Sequence, residues 1–263
     1  MNVATVRFYQ ELNRFLQEGQ GGTLEYRFAG SPSVKDVIEA FGVPHTEVDL
    51  VLINEESVSF DARVGDGDRV AVYPVFESLD ISRTSQVRGS PLRVTRFVLD
   101  VHLGKLARLL RLLGLDALYE TYYTDPEIVE ISRRDERIIL TRDQGMLKRR
   151  AVTHGYWVRS TDPLEQVLEV IRRFDLRAQI RPFRRCMACN GVIDPVEKRH
   201  IEHKLEEGTK KHFDRFFQCR RCGRVYWRGS HYENLLGKLE YALGRPLDEQ
   251  DPEDTARGGR SDG

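Results

Sequence analysis

The sequence contains no long apolar segment. No window of it approaches the roughly 18 apolar residues that a membrane-spanning helix needs, and its first residues, Met1 to Ala4, do not open an apolar signal region. We therefore expect a soluble protein of the cytoplasm with no membrane partner. In that compartment thiols stay reduced, so paired cysteines favour a metal ion over a disulfide.

Cysteine is also scarce, because the chain has only four. They form two Cys-x-x-Cys pairs, Cys186 with Cys189 and Cys219 with Cys222, separated by 29 residues. Each pair presents two thiolates from one tight turn, and four thiolates are a ligand set that tetrahedral zinc prefers. The spacer exceeds the roughly 15–20 residues usual in zinc ribbons, which predicts an extra hairpin or loop between the pairs. Two disulfides or a redox pair are the alternatives to structural zinc.

The formal net charge is zero, but the charges are unevenly distributed. Residues 93–228 carry 29 Lys and Arg against 19 Asp and Glu, whereas residues 1–92 carry 8 against 14 and residues 229–263 carry 4 against 8. A basic middle segment favours a polyanionic partner, because Lys and Arg that neutralise phosphates release counterions. A solvated arginine-rich surface is the alternative interpretation.

The front of the chain has the pattern of a small β-rich domain. Val3–Tyr9 and Thr23–Phe28 are predicted strands, and Ser33 is the predicted cap of a helix whose apolar residues recur at helical spacing. Val48–Asn54 and Arg69–Val75 are predicted as further strands. Two strands, one helix and two or more strands in this length are the order of a ubiquitin-like β-grasp domain.

From Arg93 onward the pattern changes to strands that alternate with helices. Residues 94–99 and 137–140 are predicted strands, and the leucine-rich stripe over residues 103–113 is a predicted core helix. Residues 144–152 are predicted to be helical as well. Such alternation indicates a parallel sheet that is covered on both faces.

The predicted organisation is therefore α/β in three parts with a linker and a tail. The segments are a ubiquitin-like β-grasp domain (1–77), a linker with few large apolar residues (78–92), a parallel-sheet α/β domain (93–180), a zinc ribbon (181–236), and a short helix with a disordered tail (237–263).

Acidic residues stand at the ends of the predicted strands. Asp100 and Asp143 each fall at the carboxyl end of one, which is the edge where open parallel sheets bind ligands. Converging carboxylates repel each other unless a cation lies between them, and magnesium and manganese prefer oxygen ligands. Asp125, just before a helix in the same region, can join them. For each residue alone, a helix-capping role is the alternative.

Four motifs in this order resemble the Mut-seven C-terminal RNase family, a branch of the PIN-like nucleases with a fused zinc ribbon. The motifs are residues 97–114 (FVLDVHLGKLARLLRLLG), 138–143 (IILTRD), 185–191 (RCMACNG) and 219–231 (CRRCGRVYWRGSH). The resemblance implies a PIN-like fold and a ribonuclease that depends on magnesium or manganese. It places Asp100, Asp125 and Asp143 at the catalytic site. A fourth acidic position is left open among Asp116, Glu127 and Glu130.

Basic residues near these motifs are the predicted contacts to RNA. They are Lys105, Arg108, Arg142, Arg220, Arg221 and Arg224. Tyr226 and Trp227 can offer a stacking face for unpaired bases, or they can form the small core of the ribbon.

Residues 1–76 more loosely resemble the ubiquitin-like sulfur carriers of thiamin and molybdopterin synthesis. Working carriers end in a free diglycine, whereas here Tyr73 to Glu77 runs on into the linker without one. We therefore expect a docking role with a possible protein partner and not sulfur transfer. For the whole chain we expect a metal-dependent ribonuclease with structural zinc, and a non-catalytic RNA- or ribosome-binding adaptor is the alternative.

Overall fold

The computed structural model describes residues 1–17, 22–74, 95–244 and 247. The predicted linker (78–92) and the predicted tail from Asp248 onward lie outside these ranges. The chain divides into two compact units, one made of Met1–Thr95 with Asp125–Trp157 and the other of Arg96–Thr124 with Val158–Gly263. Each unit thus combines two separate stretches of chain, and the predicted domain boundaries stay a prediction.

The front domain has the strand order of a β-grasp fold. Its elements are β1 (Asn2–Phe8), β2 (Thr23–Phe28), α1 (Val34–Ala40), β3 (Val48–Ile53), β4 (Glu56–Ser57) and β5 (Arg69–Pro74). They form one sheet of order β2-β1-β5-β3-β4, in which β1 and β5 are parallel and the other pairs are antiparallel. The predicted ubiquitin-like domain is confirmed.

The helix of this domain begins where the sequence predicts. The hydroxyl of Ser33 accepts from the backbone N–H of Asp36, and the Asp36 carboxylate accepts from the backbone N–H of Ser33, so both form a capping box. Val37 and Ile38 are fully buried against the sheet core. Two short 3₁₀ turns, Gln10–Phe15 and His45–Glu47, were not predicted.

Side chains of the second 3₁₀ turn contact the later stretch of the same unit. His45 is buried, with its Nε2 2.8 Å from the carbonyl oxygen of Val152 and its Nδ1 2.7 Å from the Glu39 carboxylate. The Glu47 carboxylate accepts a hydrogen bond from the backbone N–H of Trp157 at 2.8 Å. These polar contacts join the β-grasp sheet to the chain around residues 152–157.

The remaining elements alternate strand and helix before they reach the ribbon. They are β6 (Arg96–Leu99), α2 (Gly104–Leu112), β7 (Asp116–Leu118), α3 (Asp125–Arg134), β8 (Ile138–Thr141), α4 (Gln144–Leu147), β9 (Gly155–Trp157), α5 (Pro163–Arg173), β10 (Ile193–Val196), α6 (Lys198–Ile201), α7 (Glu207–His212), β11 (Phe216–Cys219), β12 (Val225–Tyr226) and α8 (Ser230–Leu243).

The strands before the ribbon pair in parallel, which confirms the α/β class. In one unit β6 pairs with β7, and in the other β8 pairs with β9. The helix predicted over residues 144–152 is too long, because α4 ends at Leu147 and tight-turn hydrogen bonds follow, from Arg149 N to Met146 O and from Val152 N to Arg149 O. Since β9 begins at Gly155, a helix through Val152 leaves too few residues for the chain to turn back.

The turn after α2 depends on a glycine. Gly114 has a φ of 83°, and a Cβ built on it lies 1.9 Å from the carbonyl oxygen of Arg181. No side chain fits at that approach, so the backbone of Arg181 can lie directly on the end of the helix, where its N–H donates to the carbonyl oxygen of Leu113 at 2.9 Å.

The ribbon is an antiparallel sheet of order β10-β11-β12. The long spacer between the cysteine pairs contains the antiparallel strands β10 and β11, with the short helices α6 and α7 in the connection between them. Two small apolar clusters support the sheet, one around Phe183 and Phe217 and one around Ile201 and Phe216. In the described part of the chain, no helix has both the length and the apolar character that a membrane crossing requires.

Candidate metal centre and strand-end carboxylates

The four cysteines lie together as free thiols. Their sulfurs lie within 4.8 Å of one another; Cys186 Sγ and Cys222 Sγ are 3.6 Å apart, and Cys189 Sγ and Cys219 Sγ are 3.5 Å apart. A disulfide bond is about 2.05 Å long, whereas Zn–S bonds of about 2.3 Å at tetrahedral angles separate the sulfurs by about 3.8 Å. The site therefore fits a tetrahedral metal such as zinc, and the disulfide alternative is wrong.

Tight turns hold the sulfurs in place. The backbone N–H of Cys189 donates to the sulfur of Cys186, and the N–H groups of Arg221 and Cys222 donate to the sulfur of Cys219. Glycine is required in the first turn, because a Cβ on Gly191 lies 2.9 Å from the Cys219 sulfur. These N–H groups favour thiolates, the form that binds metal.

The thiols of the first pair differ in acidity. Burial acts to raise the pKa of Cys186, but hydrogen bonds from the Tyr226 hydroxyl at 2.9 Å and from backbone N–H groups bring that pKa to about 7. Burial raises the pKa of Cys189 to about 12. Because a metal ion binds the thiolate form, metal binding acts against this rise in the pKa of Cys189.

A buried arginine links helix α2 to the first cysteine pair. Arg111 is 2% exposed. Its Nε donates to the carbonyl oxygen of Ala117 at 2.7 Å, and its Nη1 donates to that of Ala188 at 2.9 Å. Burial lowers the pKa of Arg111, while Glu120 and the Cys186 and Cys189 sulfurs oppose that effect. The guanidinium thus joins the helix to the turn that carries two ligands.

Asp116, one candidate for the fourth acidic position, takes part in the same junction. Its carboxylate accepts from Arg185 at 3.1 Å and from the side-chain amide of Asn190 at 2.7 Å. The Asn190 amide oxygen accepts in turn from the backbone N–H of Ala117 at 3.1 Å. These bonds give Asp116 a structural role between β7 and the first turn of the ribbon.

The contacts of Arg111 with the first cysteine turn were not predicted, although the sequence contains one indication of them. Arg111 lies four residues after Ala107 on the apolar stripe of α2, so a charged group was placed on the buried face of a helix. A buried charge needs partners. The carbonyl groups of the first cysteine turn supply them.

Asp100 and Asp143 lie at the carboxyl ends of parallel-paired strands, as predicted. Asp100 directly follows β6, is 4% exposed and accepts from the backbone N–H of His102 at 2.9 Å. Asp143 follows β8 and accepts from the backbone N–H of Gly145 at 2.7 Å, which caps α4. Only one Asp143 oxygen is bonded within the described part of the chain, so the second can accept another partner.

Asp125 is held differently. It is the first residue of α3, and its carboxylate pairs with Arg149 at 2.7 Å. Both side chains are 42% exposed, and a pair this open stabilises by at most about 1 kcal/mol. Asp125 and Asp143 belong to the first unit and Asp100 to the second.

The predicted RNA contacts also fall into different local settings. Arg220 forms a two-pronged ion pair with Asp194, and Arg221 donates to the carbonyl oxygen of Cys189 at 3.2 Å. Lys105, Arg108 and Arg142 are exposed on or beside α2 and α4, and Arg224 is exposed just before β12. The Arg220 guanidinium is thus already paired with a carboxylate.

Among the residues that the structure describes, the cysteines are the one group of three or more potential metal ligands whose atoms lie close together. These features define a class of protein in which a ubiquitin-like domain precedes an α/β domain with a four-cysteine ribbon.

Residues 95–239 match the family described as Mut7-C RNAse domain, and residues 1–80 match Mut7-C ubiquitin. The first match spans more than half of the chain, and the protein belongs to the Mut7-C RNase family. The resemblance seen in the motifs is confirmed. The family indicates a nuclease-type function with RNA as substrate.

Solved structures resemble the front domain. Small archaeal modifier protein 1 of H. volcanii is 17% identical, with 28% of this chain and 98% of that chain covered and a TM-score of 0.24. A putative molybdopterin converting factor, subunit 1, from Pyrococcus furiosus is 19% identical with the same coverages and the same TM-score. No curated protein matches the chain significantly.

Proposed function

We propose that the protein is a metal-dependent ribonuclease that hydrolyses RNA phosphodiester bonds. The observation that carries the proposal is the position of Asp100 and Asp143, each at the carboxyl end of a parallel-paired strand in a chain of the Mut7-C RNase family. This is the end of a parallel strand at which ligands bind in open α/β sheets. Asp125 is the third proposed carboxylate.

Carboxylate oxygens suit a hard divalent cation. Magnesium or manganese held by Asp100, Asp125 and Asp143 would supply Lewis-acid chemistry for phosphodiester hydrolysis. The His102 and Gly145 backbone N–H groups hold Asp100 and Asp143 in fixed orientations.

The ribbon supports this function through its shape and charge. A zinc ion held by the four sulfurs would be structural, because four protein ligands leave no open position for a substrate. Exposed Arg224, close to the second cysteine pair, is available to contact RNA phosphates. The front domain is proposed to dock a protein partner.

The test compares two aspartates that cap helices. Asp143→Asn removes a proposed ion ligand, whereas Asp162→Asn changes the cap of α5, where the Asp162 carboxylate accepts from Leu164 N and Glu165 N. Asn caps helices about as well as Asp, so both variants should fold. Manganese-dependent cleavage of labelled RNA should fall at least about 100-fold in Asp143→Asn, about 2.7 kcal/mol, and stay unchanged in Asp162→Asn. Equal activity of Asp100→Asn, Asp143→Asn and the parent rejects the nuclease.

The ion pair of Asp125 with Arg149 favours a second candidate, a non-catalytic RNA- or ribosome-binding adaptor. In that case Arg149 takes the place of a cation at Asp125. The adaptor predicts salt-sensitive RNA binding without cleavage in magnesium or manganese. The same cleavage assay on the parent protein separates the two functions.

A further inference from the structure

The second unit contains a cavity to which the proposed function assigns no ligand. Its volume is about 480 Å³, within the range of small-ligand pockets. The walls come from α2, the first cysteine turn, β12 and the start of α8. The wall on α2 begins at Gly104, four residues after Asp100.

The charge of the lining is positive. Three arginines line the cavity, Arg108, Arg111 and Arg224, and no Asp or Glu is among the described lining residues. Arg111 is committed to backbone carbonyl oxygens and to the nearby cysteine sulfurs. Arg108 and Arg224 are exposed, and neither guanidinium forms an ion pair or hydrogen bond with another described residue. They can therefore bind an anionic group of a ligand.

The other notable feature of the lining is its aromatic content. Tyr119, Tyr226, Trp227 and Tyr232 all contribute. The hydroxyl of Tyr119 donates to the carbonyl oxygen of Val101 at 3.0 Å, and that of Tyr226 contacts the Cys186 sulfur at 2.9 Å. Their polar ends are thus bound to protein, which restrains the rings before any ligand arrives and lowers the entropic cost of stacking.

Packing also restrains the other two rings. The Tyr232 ring lies 4.4 Å from that of Phe183, and the Trp227 ring lies 6.3 Å from that of Phe216. Restrained aromatic rings beside unpaired arginines are the chemistry with which proteins bind single-stranded RNA, through base stacking and phosphate contacts. An acidic or purely apolar ligand without a flat ring would use only part of this lining.

We propose that this cavity binds one unpaired nucleotide of an RNA strand, with the base among the aromatic rings and an adjacent phosphate on Arg108 and Arg224. The inference rests on the proposed function for its choice of RNA, and it adds a nucleotide subsite beside α2.

The first test compares two variants, one that loses a positive charge from the cavity lining and one that loses a positive charge elsewhere in the same unit. Arg108→Gln is compared with Arg172→Gln, an exposed arginine near the end of α5 in the same unit that does not line the cavity. Binding of a fluorescein-labelled oligouridylate is followed by anisotropy without magnesium or manganese. Arg108→Gln should weaken binding about tenfold and lower the salt slope by about 0.7, while Arg172→Gln changes affinity less than about twofold. Equal effects of the two variants overturn the proposal.

The second test locates the base on the parent protein, so it does not depend on how a variant folds. An oligouridylate that carries 4-thiouridine is irradiated in the complex, and cross-linked peptides are identified by mass spectrometry. Cross-links to peptides with Tyr119, Tyr226, Trp227 or Tyr232 support the subsite. Cross-links confined to other peptides overturn it, as expected if a protein segment occupies the cavity.

Neither measurement requires cleavage, so failure of the subsite and failure of the nuclease are distinguishable. Cross-links in the cavity together with no metal-dependent cleavage leave the subsite standing and reject the nuclease. Cleavage that depends on Asp143, with no cross-link in the cavity, leaves the nuclease standing and rejects the subsite.

Discussion

The cysteine site and the strand-end carboxylates are built in different ways. Each cysteine pair comes from one short turn, backbone N–H groups bond its sulfurs, and the four sulfurs stand at spacings that fit an ion. Asp100 and Asp143 come from separate strands, and each is oriented by a backbone N–H of its own following turn. A site made of two local turns is fixed by short-range geometry, whereas a site made of strand ends depends on how the strands are arranged.

The largest effect is expected from breaking the cysteine site. Cys219→Ala removes one of the four candidate ligands and leaves three thiols at the metal site. Bound zinc should therefore be lost, and the ribbon should unfold. Structural zinc contributes about 10–16 kcal/mol to small metal-dependent folds. Metal content by mass spectrometry and thermal melting by circular dichroism measure the outcome.

Met187→Leu is the matched control, because Met187 lies in the first cysteine turn but contributes no ligand. It should keep full metal content and the parent melting temperature. Retention of one zinc per chain by Cys219→Ala, with unchanged melting, would contradict a four-cysteine site.

A smaller effect is expected at the junction that holds the ribbon to α2. Arg111→Met keeps an unbranched apolar side chain but removes the guanidinium, which leaves the buried carbonyl oxygen of Ala117 and the part-buried one of Ala188 without their donor. Such groups cost about 1–3 kcal/mol each when unsatisfied. We expect the free energy of unfolding to fall by about 3 kcal/mol in urea titrations.

Arg108→Met provides the comparison on the same helix, since Arg108 is exposed and lacks a partner among the described residues. Its free energy of unfolding should change by less than about 0.5 kcal/mol. If both variants unfold at the same urea concentration, Arg111 does not hold the junction.

Much of the fold follows from local pattern, and the exceptions are long-range. The Ser33–Asp36 capping box and the cysteine turns were predictable because all their partners lie within a few residues. The contact of His45 with Val152 joins residues 107 positions apart, and no periodicity indicates it. The strand β7 was missed because three residues are too few to show alternation.

The candidate sites were also predictable to different degrees, depending on how far apart in the sequence their residues lie. The spacing of the cysteines was enough to predict all four residues of the candidate metal site. The predicted strand boundaries placed Asp100 and Asp143 at strand ends. The ion pair of Asp125 with Arg149 was not predictable, because the two residues lie 24 positions apart. Arg108, Arg224, Tyr226 and Trp227 were singled out from the sequence, but their meeting in one cavity was not predictable, because the lining comes from separate segments of the chain.

The smallest effect on stability is expected where the carboxylate site is most open. Arg149→Gln removes the exposed partner of Asp125, which should change the free energy of unfolding by less than about 1 kcal/mol. A cation and Arg149 compete for the same carboxylate, so the manganese concentration for half-maximal RNA cleavage should fall in the variant. Arg150→Gln, at an exposed neighbour with no described partner, is the control. An unchanged manganese requirement in Arg149→Gln would show that Asp125 does not bind the ion, which would leave Asp100 and Asp143 as the carboxylates that do.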